Sequence, residues 1–199
     1  MANSLFIKAT HRFTKKGKHH ISFCPPYFLS SKTELPAAYA EAAAVVGAWM
    51  GRSGHTLVYG GARKGQMEVL AQAVKREGGR VIGVVPQVLV ERNLVSHCVD
   101  VPLHCADLSE RKAIMMRESE VFLILPGGIG TLDELFTVLA VNTLYAERRR
   151  VVLFNAGGCW DALLSLLDGL HAAGLVELPA RETVDVVADV AALEALLKH

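Results

Sequence analysis

The chain has 199 residues, 51% of them hydrophobic, which is enough to bury one sizeable core and favours a single domain. Charge is nearly balanced, 21 Lys and Arg against 20 Asp and Glu, so nothing points to nucleic acid or an anionic membrane as the main partner, and a small molecule is expected. Cys24, Cys98, Cys105 and Cys159 lie far apart with no C-x-x-C, which argues against a disulfide framework and a zinc ribbon and makes a reducing cytoplasm the natural location. His97-Cys98 and His104-Cys105 repeat one dipeptide, but not at the ligand spacing of structural zinc; no metal and no cofactor is expected. Apolar runs stay below the roughly 18 residues of a membrane-spanning helix, and Leu5-Phe6-Ile7 is too short for a signal-peptide core.

Taken in order, residues 1–19 are a basic N-terminal extension. Lys8, Arg12, Lys15, Lys16 and Lys18 are matched by no Asp or Glu before residue 34, a pattern open to a basic arm, a transit-like segment or a solvated extension, the last being preferred. Residues 20–199 are expected to form one domain. His20-Ile21-Ser22-Phe23-Cys24 reads as a first strand stopped by Pro25-Pro26, and Ala37 to Met50 as a helix broken by Gly51 and Gly54. Thr56-Leu57-Val58-Tyr59 is a second strand ending in Gly60-Gly61, with Gly65 and Met67 opening a helix to about Arg76. Gly78-Gly79 stops that helix, Arg80 to Val85 is a third strand, and Gln87 to Cys105 is less regular.

Asp107-Leu108-Ser109-Glu110 has the form of a capping box for a helix through Arg117. Then come a strand at Val121 to Ile124, a helix from Leu135 on, a strand at Arg150 to Phe154, a helix at Trp160 to Ala173, a strand at Val184 to Val187 and a helix at Ala191 to Lys198. Near-continuous apolar strands alternating with helices predict an α/β fold: a Rossmann-like, doubly wound, mostly parallel sheet with helices on both faces. Ligands in such sheets bind at the carboxyl ends of strands, where the glycine turns after Tyr59 (Gly61, Gly65) and after Leu125 fall.

The second of these turns, Leu125-Pro126-Gly127-Gly128-Ile129-Gly130-Thr131-Leu132-Asp133-Glu134, carries the strongest functional signal. Gly127, Gly128 and Gly130 permit close backbone approach, and the first turn of the following helix offers unpaired N–H groups and a positive dipole end, together a cradle for phosphate. G-x-x-x-x-G-K-[ST] is absent, and G-x-G-x-x-G fails because Asp133 takes the place of its last glycine, so a mononucleotide or sugar phosphate fits better than a dinucleotide. A purely structural alternative is a capping box of Thr131 with Glu134. For Arg111-Lys112 taken alone, the structural alternative is a solvated helix face.

Pro126-Gly127-Gly128-x-Gly130-Thr131-x-x-Glu134, preceded by Glu110-Arg111-Lys112, resembles the signature of the Lonely Guy (LOG) family, nucleoside 5′-monophosphate phosphoribohydrolases formerly labelled lysine decarboxylases. The resemblance runs from about Ile21 to the C-terminus. It implies catalytic roles for Arg111 and Glu134, nucleotide binding by Lys112, Gly127, Gly128, Gly130 and Thr131, and a homodimer. Apolar Val138, Leu139, Val141 and Leu144, more than one buried face needs, support the dimer. This chain departs from the family where Cys24-Pro25-Pro26 replaces Cys-Gly-Ser-Ser. It departs again at Gly60-Gly61-Ala62-Arg63-Lys64-Gly65-Gln66-Met67-Glu68, where the family has Gly-Gly-Gly-x-x-Gly-Leu-Met-Gly, and around Asn142-Thr143-Leu144-Tyr145. Arg63 and Lys64 are candidates to replace the lost phosphate donors.

The implied reaction is hydrolysis of the N-glycosidic bond of a nucleoside 5′-monophosphate, AMP or a cytokinin riboside monophosphate among them, to base and ribose 5-phosphate. The sugar passes through an oxocarbenium-like cation, so a carboxylate at Glu134 is more useful in the transition state than in the ground state. Arg111, permanently charged, suits phosphate or a leaving base and is a poor proton donor. The alternative is a non-catalytic nucleotide or molybdenum-cofactor carrier of the same fold. Pyridoxal phosphate chemistry would need a Schiff-base lysine, for which Lys112 beside Arg111 is poorly placed.

Overall fold

A computed structural model describes residues 20–23, 37–145 and 149–198; the N-terminal extension and Cys24-Pro25-Pro26 lie outside these. Along the chain come β1 (His20–Phe23), α1 (Ala37–Ser53), β2 (Thr56–Tyr59), α2 (Gly65–Arg76), β3 (Arg80–Pro86), α3 (Gln87–Glu91), β4 (Val101–Cys105) and α4 (Leu108–Glu118). They are followed by β5 (Val121–Ile124), α5 (Ile129–Leu144), β6 (Arg150–Phe154), α6 (Asp161–Ala172), α7 (Ala180–Thr183), β7 (Asp185–Val187) and α8 (Val190–Leu197). The strands form one 7-stranded sheet in the order β4-β3-β2-β1-β5-β6-β7, and every pair is parallel.

Successive strand side chains point to opposite faces, and here both faces are buried. Leu57, Tyr59, Val81, Val85, Leu123 and Leu125 pack with Val46 and Met50 of α1, Leu70 and Val74 of α2 and Leu193 of α8. On the other face Val58, Ile82 and Val84 meet Ile114 and Met115 of α4, while Phe122 and Ile124 meet Leu135 and Val138 of α5 and Leu164 of α6. This is the doubly wound arrangement expected from the sequence. No helix among the described residues is long and apolar enough to cross a membrane.

The chain builds outward from β1 to the edge strand β4, then returns through α4 to place β5 on the other side of β1. Strand order therefore reverses between β1 and β5, and in open α/β sheets the crevice beyond the carboxyl ends at such a point is where ligands bind. The Pro126–Gly128 turn leaves β5 there.

Three local readings change. Gln87 to Cys105, expected to be irregular, contains α3 and β4; β4 pairs only with β3, is half exposed, and carries Pro102, which an edge strand tolerates because one side needs no donor. The short α7 had no sequence signal. Gly51 does not break α1, which runs through it; a Cβ there would stand 2.7 Å from Val74 O, so its bareness serves the α1–α2 contact, and Gly54 at φ +70° makes the stop.

Candidate active site

The turn after β5 leads straight into α5, whose N-cap is Gly128, and no side chain caps the helix. The N–H groups of its first turn and its positive end thus face whatever enters the crevice. Thr131 sits inside this first turn, wholly buried, and its Oγ1 has no hydrogen-bond partner among the described residues. Gly127 lies against it: a Cβ at Gly127 would come 2.7 Å from Thr131 Cβ. The capping-box alternative does not hold, because the helix begins at Ile129, Thr131 follows the N-cap rather than occupying it, and the Glu134 carboxylate is directed elsewhere.

It is directed at Arg111. α4 is started by Asp107, whose Oδ1 accepts the Glu110 N–H at 2.8 Å, while Glu110 Oε2 accepts from Ala106 N at 2.7 Å, so the first turn is fixed from both sides. That places Arg111 on the buried side of α4, 1% exposed, with Nη2 donating to Glu134 Oε1 at 3.2 Å; Glu134 is 7% exposed. One residue further along α4 and one back along α5, Lys112 Nζ donates to Asp133 Oδ1 and Oδ2 at 2.9 and 3.0 Å. Two opposite-charge pairs therefore tie α4 to α5, the inner one dry and the outer one partly solvated. Lys112, Met115, Phe122, Glu134 and Val138, among others, line a small cavity between the two helices.

The turn after β2 is built differently. Gly61, at φ +72°, leaves room for Val85, whose Cγ2 would stand 2.7 Å from a Cβ there, and its carbonyl accepts Ser96 N at 2.8 Å. Arg63 donates Nη1 to His97 Nε2 at 2.6 Å and Nη2 to Asn93 O at 3.1 Å. Arg63 thus pins the segment from Asn93 to His97 rather than offering its guanidinium to a phosphate. Gly65, at φ +55°, is exposed, with open space about its Cα. Gly60 is buried and lies directly against the Arg111 guanidinium, so the end of β2 touches the charged pair.

Burial pushes the Cys159 thiol up to about 11, and it raises Cys98 and Cys105 as well, so none of the three is primed as a nucleophile at neutral pH. Among the described residues no three His, Cys, Asp or Glu side chains converge on one point. Lys112, held by Asp133 and beside a guanidinium, does not fit a Schiff-base lysine, and no step is routed through pyridoxal phosphate.

Arg111, Glu134, Lys112 and the Gly127–Thr131 turn are thus brought to one place, with Gly61 and Gly65 in the adjoining turn. The sequence reading passed over Asp133 and Gly60. The signal for Asp133 was available: Arg111-Lys112 and Asp133-Glu134 are adjacent opposite charges on two helices that flank one strand.

An all-parallel, doubly wound sheet with a glycine turn at its switch point defines the Rossmann-like class. Within it, a family model described as possible lysine decarboxylase matches residues 67–197. A probable cytokinin riboside 5′-monophosphate phosphoribohydrolase of Oryza sativa subsp. japonica is 37% identical over 157 residues, 79% of this chain and 64% of the rice protein. The cytokinin riboside 5′-monophosphate phosphoribohydrolase of Mycobacterium tuberculosis is 39% identical over 154 residues, 77% of this chain and 82% of its own length. The chain belongs to this family, the Lonely Guy (LOG) family. Among solved structures, the Moco carrier protein of Chlamydomonas reinhardtii is 27% identical and superposes with a TM-score of 0.65 over 91% of this chain and 96% of its own.

Proposed function

We propose that the protein hydrolyses the N-glycosidic bond of a nucleoside 5′-monophosphate, AMP or an N6-substituted AMP of the cytokinin type, releasing the base and ribose 5-phosphate. The observation that carries this is the buried Arg111–Glu134 pair set beside an uncapped helix start that follows Gly127-Gly128. The phosphate rests on the first-turn N–H groups of α5 and on Thr131 Oγ1, which supplies the hydrogen bond that buried hydroxyl otherwise lacks. Glu134, further along the same helix, then faces the ribose. As the C1′–N bond breaks, its electron pair goes to the base and positive charge grows at C1′; the Glu134 carboxylate opposes that charge and orients the water whose oxygen bonds to C1′ and whose released proton neutralises the departing base. Arg111 offsets the cost of burying the carboxylate and stabilises negative charge on phosphate or departing base.

The relatives named above support a phosphoribohydrolase reading, and the carboxylate at the sugar favours it over a carrier. Purified protein incubated with purine and pyrimidine monophosphates, including an N6-prenylated AMP, should release ribose 5-phosphate from at least one. Binding of AMP with no release from any would favour the carrier reading.

The working unit in this proposal is a homodimer. Val138 and Leu139 are buried in the chain's own core, but Ile129, Phe136, Leu144 and Tyr145 stand exposed on and after α5, an apolar surface that a second copy would cover. Light scattering at micromolar concentration should give twice the monomer mass, and Phe136→Glu should lower it.

A further inference from the structure

Gly60 carries no left-handed backbone, unlike its neighbour Gly61, so its conformation does not explain why this position is bare. What occupies the space does. A Cβ built on Gly60 meets three atoms of one side chain and nothing nearer: Arg111 Nη2, Arg111 Cζ at 2.8 Å and Arg111 Nη1 at 3.3 Å. Elsewhere in the chain the space beside a buried glycine is filled by packing, as at Gly61 by Val85 or at Gly83 by Val99. At Gly60 it is filled by the charged end of a side chain that reaches across from α4 and is itself 1% exposed.

The atom closest to the missing Cβ is Nη2, and Nη2 is also the nitrogen that donates to Glu134 Oε1. One nitrogen thus has backbone on one side and carboxylate on the other. A methyl group at Gly60 would displace it. The guanidinium is the end of a flexible side chain, whereas the end of β2 is anchored by its pairing to β3, so the guanidinium is what would move.

We infer that Gly60 is a positioning residue: the absence of a side chain at the end of β2 sets where the Arg111 guanidinium lies, and through it the geometry of the Arg111–Glu134 pair. The inference rests on the function proposed above for its effect on turnover, but not for its effect on the pair. It also gives β2 a share in the site, alongside α4, α5 and the turn after β5.

The test is Gly60→Ala, read in two ways. In turnover of the preferred nucleotide, kcat should fall on the order of 100-fold, as a displacement of about 1 Å at a reacting centre can cause, while KM stays within about threefold. In thermal unfolding, Gly60→Ala should lower Tm when Arg111 is present, because the buried pair is disturbed, and lower it much less in an Arg111→Ala background, where the three atoms nearest the methyl group are gone. The Arg111→Ala background also keeps the test informative should Gly60→Ala alone fold poorly. Equal Tm losses in both backgrounds, or an unchanged kcat, would overturn the inference. A wild-type protein without turnover on any nucleotide, together with a Tm loss that depends on Arg111, would retain the positioning of the pair and reject the phosphoribohydrolase.

Discussion

The molecule has two turns in which a parallel strand ends in glycines and a helix begins, and they use glycine differently. After β2 the spaces left by Gly60 and Gly61 are taken by the protein's own Arg111 and Val85, and Arg63 is spent on His97 and Asn93. After β5, Gly128 has no heavy atom within 4 Å of its would-be Cβ, the helix behind it has no side-chain cap, and Thr131 Oγ1 has no partner among the described residues. The strand end of the first turn is thus closed by other parts of the fold, with open space only at Gly65, whereas the second closes Gly127 with its own Thr131 and leaves Gly128 open to a guest. Glycine content alone does not distinguish them, and neither does capping, since α2 and α5 both lack a side-chain cap; the source of the side chain that fills the strand-end space does, other elements after β2 and the turn's own Thr131 after β5.

The largest effect expected from this contrast is on stability, at Gly61→Ala. Its φ of +72° costs an L-residue about 1–2 kcal/mol, and crowding Val85 adds about 1–3 kcal/mol, so urea unfolding should shift strongly. AMP affinity of the folded fraction should hold, and a selective loss of affinity would break the distinction between the turns. Gly128→Ala should do the reverse. Its backbone, at φ −103°, accepts alanine, so stability should stay within about 0.5 kcal/mol, while calorimetry should show AMP binding weakened by about 1.5–3 kcal/mol, the worth of one charge-assisted hydrogen bond. Unchanged AMP binding would remove the phosphate from this turn.

A smaller effect is expected at Gln66, in the first turn of α2, where both amide atoms are buried with no partner among the described residues. Gln66→Leu should raise stability by about 1 kcal/mol by removing unsatisfied polar atoms. Weakened nucleotide binding instead would bring the β2–α2 turn into the ligand site.

Much of this was legible beforehand, and the limits have physical causes. β2, β3, β5 and β6 were readable because strands buried on both faces are continuous apolar runs bounded by Gly and Pro. β4 was not, since an edge strand is half polar and its Pro102 reads as a breaker. Arg111 and Glu134 were found through a motif, but their contact is made between helices far apart in sequence, which no local pattern encodes. The same holds for Gly60: the sequence shows a glycine after a strand, and only the fold shows that a guanidinium lies on it. Arg63, one of two candidates to replace the lost phosphate donors, is bonded to His97, a partner the sequence did not reveal because it lies on a segment whose path the sequence left open.

Glu134→Gln is the most direct measurement. Gln keeps an oxygen to accept from Arg111 Nη2 but takes the Glu134 charge away from that buried cation, so Tm is expected to fall and turnover must be expressed per folded molecule. If the carboxylate serves the cationic sugar, kcat for the preferred nucleotide drops on the order of 100- to 1,000-fold while the Kd for AMP, set by the α5 turn, stays within about threefold. If Glu134 only secures α4 to α5, less protein folds but each folded molecule turns over at close to the wild-type rate, and that result would contradict the proposed mechanism.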